Sequence, residues 1–328
     1  MRRRRARALL AVLAAAAALA PARTRGDAHA SDPELLALAK RADVARQPLF
    51  EEAVAHTEGR AVRVMHVPKC GSSFQIAAWH YACPGTPLNM TVPLSGVMFV
   101  PNKFYPAQDF CPEASDKPRI HKPYRSKDET DFVDGRFTPW LTMLRDPSQR
   151  FISGFHNGLH SVGMSRDDKK HMHSTVTTPA QYARYPGIAG CMTKMLIGKN
   201  CASSHHVTSD DVTLAKRVLA ERIAFFGFTD RWQDSLDLFH AMTFTQCDRA
   251  STEGANVRPG QQSSARDAFM GYNTSVLEGF VDEADESLYA FAVSLFEARR
   301  HRYRHALSCR KRVNPSRVRR WARTRKVG

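Results

Sequence analysis

Lys69 stands directly ahead of Cys70, Gly71, Ser72 and Ser73 in the stretch "HVPKCGSSF", residues 66 to 74. These types at this spacing can hold an anion. A glycine loop that leads from a strand into a helix N-terminus presents backbone N–H groups at the positive end of the helix dipole. The backbone of Cys70, Gly71, Ser72, Ser73 and Phe74 is the expected cradle. Gly71 permits the turn and a close approach, and Ser72 or Ser73 can cap the helix or add a hydroxyl donor. Lys69 brings a mobile cation to the same place. The order differs from that of nucleoside-triphosphate loops, where the lysine follows the glycines and a Ser or Thr binds magnesium. Charge at this loop would be neutralised by protein groups alone. Taken by itself, the stretch also fits a plain strand-to-helix turn with an ordinary lysine.

A second stretch, "TMLRDPSQRFISGF" at 142 to 155, repeats the strand-to-helix logic. Asp146 suits an N-cap, Pro147 suits N1, and Gln149 falls at N3, a capping-box variant. Arg145 then sits at the strand end and Ser153 about two turns on, a gap that can bring both side chains to one oxyanion. Arginine offers phosphate a bidentate fork. Arg150 reads as a structural residue paired with an acid. The alternative is a capped structural helix carrying a surface arginine.

Together the two stretches resemble the donor-binding loops of sulfotransferases. "VPKCGSSF" is similar to the 5′-phosphosulfate loop written P-K-[TC]-[GA]-[ST]-[ST]. Arg145, Asp146, Pro147, Arg150 and Ser153 fill the 3′-phosphate pattern R-D-P-x-x-R-x-x-S. The resemblance is nearest to Golgi-type carbohydrate sulfotransferases, in particular the heparan sulfate 2-O and 6-O enzymes. It extends in weaker form to "FFGFTDRWQDSLDLFH" and "DEADESLYAFAVSLF", and covers roughly 61 to 300. It implies 3′-phosphoadenosine 5′-phosphosulfate (PAPS) as donor, with no metal required. It also implies a catalytic Lys69 that helps the nucleotide leave, Arg145 and Ser153 on the 3′-phosphate, and Arg258 in "NVRPGQQSSAR" as a second phosphate contact.

Sulfuryl transfer needs a base for the acceptor hydroxyl. His121 in "RIHKPYR" lies 24 residues before Arg145, about where the 2-O enzymes carry their catalytic histidine, and a histidine with an ordinary pKa near 6.5 accepts a proton at near-neutral pH. Glu129, Asp131, His66 and His80 remain alternatives, as does an ordinary loop histidine at 121. The resemblance implies a glycan acceptor. "YPGIAGCMTKMLIG" resembles a region of the 6-O enzymes near the acceptor cleft. Histidine pairs such as 205–206 lack the accompanying ligands of a metal site. A non-catalytic protein of the same fold, holding nucleotide or glycan without turnover, is the competing class. A phosphate-loop kinase is the third, disfavoured by the lysine position.

The rest of the chain must position these groups. Its 328 residues, 43% apolar and 24% charged, suit a globular domain with a full core. The formal charge of +16 is concentrated at the ends. Residues 1–25 hold seven Arg, residues 299–328 hold eleven Arg and two Lys, and neither segment has an acid. The middle keeps 28 basic against 32 acidic residues, so charge gives no support for a nucleic-acid-binding core. The basic start followed by an apolar run from Ala8 to Ala20 reads as a signal peptide or a short type II membrane anchor. Either delivers the chain to the secretory lumen, and the resemblance points to the Golgi. Sequons at Asn89 and Asn273 agree. Of seven cysteines, Cys70 is expected free. The neighbour pairing is Cys83–Cys111, Cys191–Cys201 and Cys247–Cys309.

Alternating strand and helix patterns predict an α/β fold around a mostly parallel sheet flanked by helices, in one domain. The expected order is a signal or anchor over 1–25, a stem or peripheral helix over 26–60, the sulfotransferase-like domain over 61–300 and a basic tail over 301–328. Strands are expected in "AVRVMHV", "FTPWLTML" and "AFFGFT". Helices are expected in "SSFQIAAWHYA", "PSQRFISGFHNGL", "DDVTLAKRVLAERI", "DRWQDSLDLFHAMT" and the segment from Asp282 onward.

Overall fold

The computed structural model describes residues 32–55, 60–82, 119–121, 124, 131–133, 135–245 and 271–306. Arg258, the two cysteine pairs 83–111 and 247–309, the apolar N-terminal run and most of the basic tail lie outside them.

The fold is mixed α/β, built on a parallel sheet. Its strands are β1 (Arg63–Met65), β2 (Arg119–His121), β5 (Trp140–Leu144) and β6 (Ile223–Phe228), in the spatial order β2-β1-β5-β6. All three pairings are parallel. A separate antiparallel pair joins β3 (Phe132–Val133) to β4 (Arg136–Phe137). Every residue of β5 and β6 is buried, as expected of parallel strands covered on both faces. The side chains of β6 alternate accordingly. Phe225 stacks on Phe74 and packs edge-on to Phe239, whereas Phe226 and Phe228 turn the other way onto Phe296. Phe239 belongs to α8 (Trp232–Thr243) and Phe296 to α9 (Glu283–Arg302), so helices cover both faces.

The helix expected as a stem or peripheral element is part of the core. It is α1 (Asp32–Ala55), and Leu35, Ala39, Asp43, Arg46 and Phe50 form one buried face at helical spacing. The composition looks peripheral because two of these five are charged, and each finds a distant partner. Arg46 meets Asp131 at 2.7 Å. Asp43 takes a bidentate pair from Arg299 of α9, at 3.0 and 2.9 Å, with both side chains at most 3% exposed. The Arg299 guanidinium also donates to the Ile223 carbonyl at the start of β6. First helix, last helix and sheet edge are therefore held at one point.

The other expected elements form close to their predicted limits: α2 (Gln75–Ala82), entered through a 3-10 turn at Ser72–Phe74, α3 (Pro147–His156) and α7 (Ser209–Glu221). Three short helices were not anticipated: α4 (Arg166–Thr175), α5 (Pro179–Arg184) and α6 (Cys191–Leu196). With α3 and the turn Thr274–Leu277 they bring in a second apolar cluster that includes Phe151, Ile152, Met172, Tyr182 and Leu277. The Cys191–Cys201 disulfide is present and Cys70 is a free thiol. No described helix is long and apolar enough to cross a membrane.

Replacing Asp43 with Ala should lower the unfolding free energy by about 3–5 kcal/mol in urea denaturation, because Arg299 is left buried and unpaired. A loss below about 1 kcal/mol would show that α1 does not depend on this pair.

Candidate functional site

Strand order determines where the two motifs meet. From β1 the chain crosses to β2 on one side, then returns to β5 on the other. The point between β1 and β5 is where the winding reverses, and in open α/β sheets ligands bind outside the strand ends at such a point. The Lys69 loop follows β1 there and Arg145 follows β5. Arg145 donates from Nη1 to the Lys69 carbonyl at 3.2 Å, so the two expected anion loops are joined directly. His121 ends β2 in register with Met65, the last residue of β1. Its backbone is thus at the same end of the sheet.

The first loop is a tight turn. The Cys70 amide donates to the Val67 carbonyl at 3.2 Å, with Pro68 at the second position and Lys69 at φ +69° at the third. This is the type II pattern, which ordinarily takes glycine at that third position. Lys69 therefore holds a left-handed conformation unfavourable for a side-chain-bearing residue, and such strain gathers at functional sites. Gly71 follows at φ +78° and has no room for a side chain. A Cβ there would stand 2.7 Å from Thr229 Cγ2 and 3.0 Å from Trp232 Cζ3.

The amides expected to face an anion divide into two groups. Cys70 N–H closes the turn on Val67, and Phe74 N–H donates to the Gly71 carbonyl at 3.0 Å. Phe74 is also a core residue, 2% exposed and packed on Phe225 and Phe239, so its contribution is to anchor the loop. Gly71, Ser72 and Ser73 remain at the helix start, where helical geometry gives the first amides no intrahelical acceptor. A small pocket opens against this loop, lined by His66, Cys70, Gly71, Ser72 and Met143 among others. The residues present thus fit an anionic donor group: a cradle without a Cβ, three amides and two cations.

Arg145 is held from behind. Its guanidinium lies 5.5 Å over the Tyr272 ring. Gln149 clamps Tyr272 by its backbone, donating to its carbonyl at 2.9 Å and accepting from its amide at 2.6 Å. Asp146 caps α3 as expected, accepting from Gln149 N at 2.9 Å. The reciprocal half of the capping box does not form, because the Gln149 side chain holds Tyr272. Ser153 is buried on α3, and among the described residues its hydroxyl has no hydrogen-bond partner.

Arg150 is structural, as its expected acid pairing implied. It is buried with Nε 4.0 Å from Asp285 and donates to the Ile188 carbonyl. Asp285 also accepts from Met192 N and Thr193 N, and Asp282 from Gly190 N. These acids serve the N-terminus of α6, where the helix dipole favours them. Burial, reinforced by the neighbouring Asp285, pushes the Asp282 carboxyl up to about 6.

Some expectations are corrected. Asp131 pairs with Arg46, so it is committed to structure. His80 is 1% exposed within α2. Within the stretch expected beside an acceptor cleft, all six residues of α6 are buried, whereas Pro186 and Gly198 on either side are exposed. Lys194 donates to the Gly187 and Ser203 carbonyls at 2.9 and 3.0 Å, and burial lowers its pKa. Among the described residues no His, Cys, Asp or Glu cluster could hold a metal.

One buried-loop residue with a shifted pKa carried no sequence motif. Burial, and then the positive charges of Lys69 and Arg150, lower the pKa of His160, in the loop after α3, to about 4. Compared with models of protein families, with curated proteins and with solved structures, the chain matches none.

Burial pushes the Cys70 thiol up to about 12, against the opposing pull of Arg150, Arg145 and Lys69. The thiolate is the reactive form. In the folded protein at pH 8, peptide mapping should therefore find iodoacetamide labelling of Cys70 roughly 10³-fold slower than for a free cysteine. Labelling at the free-cysteine rate would mean that the loop opens.

Proposed function

We propose that the protein is a lumenal carbohydrate O-sulfotransferase, which moves a sulfuryl group from PAPS to a saccharide hydroxyl by in-line displacement. The observation that carries this reading is the 3.2 Å contact between Arg145 and the Lys69 carbonyl at the reversal point of the sheet. A donor with one charged group on its 5′ side and another at 3′ needs two anion sites of fixed separation, and that contact ties two such sites together.

In this reading the Gly71, Ser72 and Ser73 amides receive the 5′-phosphosulfate. Lys69 is held against the bridging oxygen by its strained backbone, and neutralises the charge that gathers there as the sulfur–oxygen bond breaks. Arg145 holds the 3′-phosphate, with Ser153 as a hydroxyl donor and Arg258 as a second contact from the 246–270 segment. His121, at the end of the neighbouring strand, takes the proton of the acceptor hydroxyl as its oxygen bonds to sulfur. The products are the sulfate ester, 3′-phosphoadenosine 5′-phosphate and the proton on the base. Preorganised donors aimed at developing charge provide the main stabilisation. Golgi residence and an N-terminal anchor or cleaved signal belong to the same reading.

The test is transfer of label from PAPS to a panel of glycans by the purified lumenal part. Wild type should transfer, and Lys69→Ala and His121→Ala should each cut turnover by about 10²–10⁴. Binding of 3′-phosphoadenosine 5′-phosphate without any transfer would favour a non-catalytic binder. Preferential binding of ATP with magnesium would contradict the reading altogether.

A further inference from the structure

Arg145 keeps its charge for a ligand because of how it is held. Arg46, Arg150, Arg231, Arg299 and Arg300 each pair with a carboxylate. Among the described residues Arg145 has no such partner. It is held instead by a carbonyl and a ring. The Lys69 carbonyl accepts one hydrogen bond from Nη1 at 3.2 Å, and the Tyr272 ring centroid lies 5.5 Å from Cζ. A guanidinium has five N–H donors. A ring over its carbon steadies the group electrostatically without accepting any of them, whereas a carboxylate in the same place would take up to two donors and balance the charge.

Tyr272 is in turn held by α3. Gln149 donates from Nε2 to the Tyr272 carbonyl at 2.9 Å and accepts from the Tyr272 amide at 2.6 Å, so one side chain fixes the backbone on both sides of the ring. The approach needs the glycine that precedes it: Gly271 has φ +76°, and a Cβ there would stand 3.0 Å from Gln149 Oε1. His156 packs on the Tyr272 ring, with centroids 5.6 Å apart and planes tilted by 30°. Gln149, Ser153 and His156 stand at helical positions i, i+4 and i+7 and share one face of α3. Tyr272 touches the first and the last of them. It therefore lies along the face that carries Ser153 and also meets Arg145, the two groups expected on the 3′-phosphate.

We propose that Gln149 and Tyr272 are positioning residues that give the site its preference for a 3′-phosphorylated nucleotide: Tyr272 fixes the Arg145 guanidinium, and Gln149 fixes Tyr272. The inference rests on the sulfotransferase reading and adds to it two residues to which neither motif gives a functional role. Both act through Arg145. It also accounts for Gln149 standing at N3 of α3 without closing the capping box: its side chain is spent on Tyr272.

The probes are 3′-phosphoadenosine 5′-phosphate and adenosine 5′-monophosphate, titrated calorimetrically without magnesium into the full lumenal chain and three variants. The readout is the ratio of the two affinities, which a merely structural loss would leave unchanged. Tyr272→Leu removes the ring, Gln149→Met removes both hydrogen bonds at similar length, and Tyr272→Phe keeps the ring face. In Tyr272→Leu and Gln149→Met the preference for the bisphosphate should fall roughly fivefold or more, with monophosphate affinity near that of wild type. Tyr272→Phe should keep the preference. Melting temperatures identify a variant that fails to fold, in which case the other decides. A wild-type ratio in folded Tyr272→Leu or Gln149→Met, equal losses for both nucleotides, or a loss in Tyr272→Phe as large as in Tyr272→Leu would overturn the inference and leave the sulfotransferase reading intact. A wild type that binds both nucleotides equally, or neither, would overturn both.

Discussion

A parallel pairing only three residues long, Arg63–Met65 against Trp140–Thr142, decides where the two motif loops meet. It places the ends of β1 and β5 side by side at the one point where the sheet's winding reverses. Thr142 reinforces it, donating from Oγ1 to the Met65 carbonyl at 2.9 Å. Shifting the register would carry Arg145 away from the Lys69 carbonyl. The pairing is short, so its geometry is maintained from outside. The aromatic layers on both faces of β6 and the buried Asp43–Arg299 pair hold the sheet against α1, α8 and α9.

Backbone strain and close packing occur on both motif segments. Lys69 and Leu159 hold backbone conformations that a β-carbon disfavours, and Gly71 and Gly154 are hemmed in by side chains that a β-carbon would strike. Structures tolerate such features when the surroundings over-determine them. Here the surroundings are the Phe74–Phe225–Phe239 cluster beneath the first loop and the Gln149 clamp behind Arg145. Arg150 and the two acids of α9 extend that support to α6 and its disulfide, linking the second motif to the far side of the fold.

Much of this was legible in the sequence because it is local. Strand, glycine turn and helix follow one another in "RVMHVPKCGSSF", and the Asp-Pro cap in "RDPSQRF" announces a helix start. β5, β6, α7, α8 and α9 have clear patterns, and the short Cys191–Cys201 span made that bridge readable. What was not legible depends on distant partners or lacks periodicity. α1 reads as a polar stem because composition cannot pair Asp43 with a residue 256 positions away. α6 is buried all round and shows no amphipathic stripe. β2 is three residues inside a basic, proline-containing stretch. Gln149 looked like a capping partner until Tyr272 claimed it.

The central claim is that Arg145 reads a second phosphate on a nucleotide whose 5′ group sits on the Lys69 loop. The direct measurement compares the affinities of 3′-phosphoadenosine 5′-phosphate and adenosine 5′-monophosphate, without magnesium, for wild type and Arg145→Ala. The account predicts that wild type prefers the 3′-phosphorylated nucleotide by roughly tenfold or more, and that the variant loses the preference while still binding the monophosphate. Equal affinities in wild type, or a preference that survives in Arg145→Ala, would contradict it.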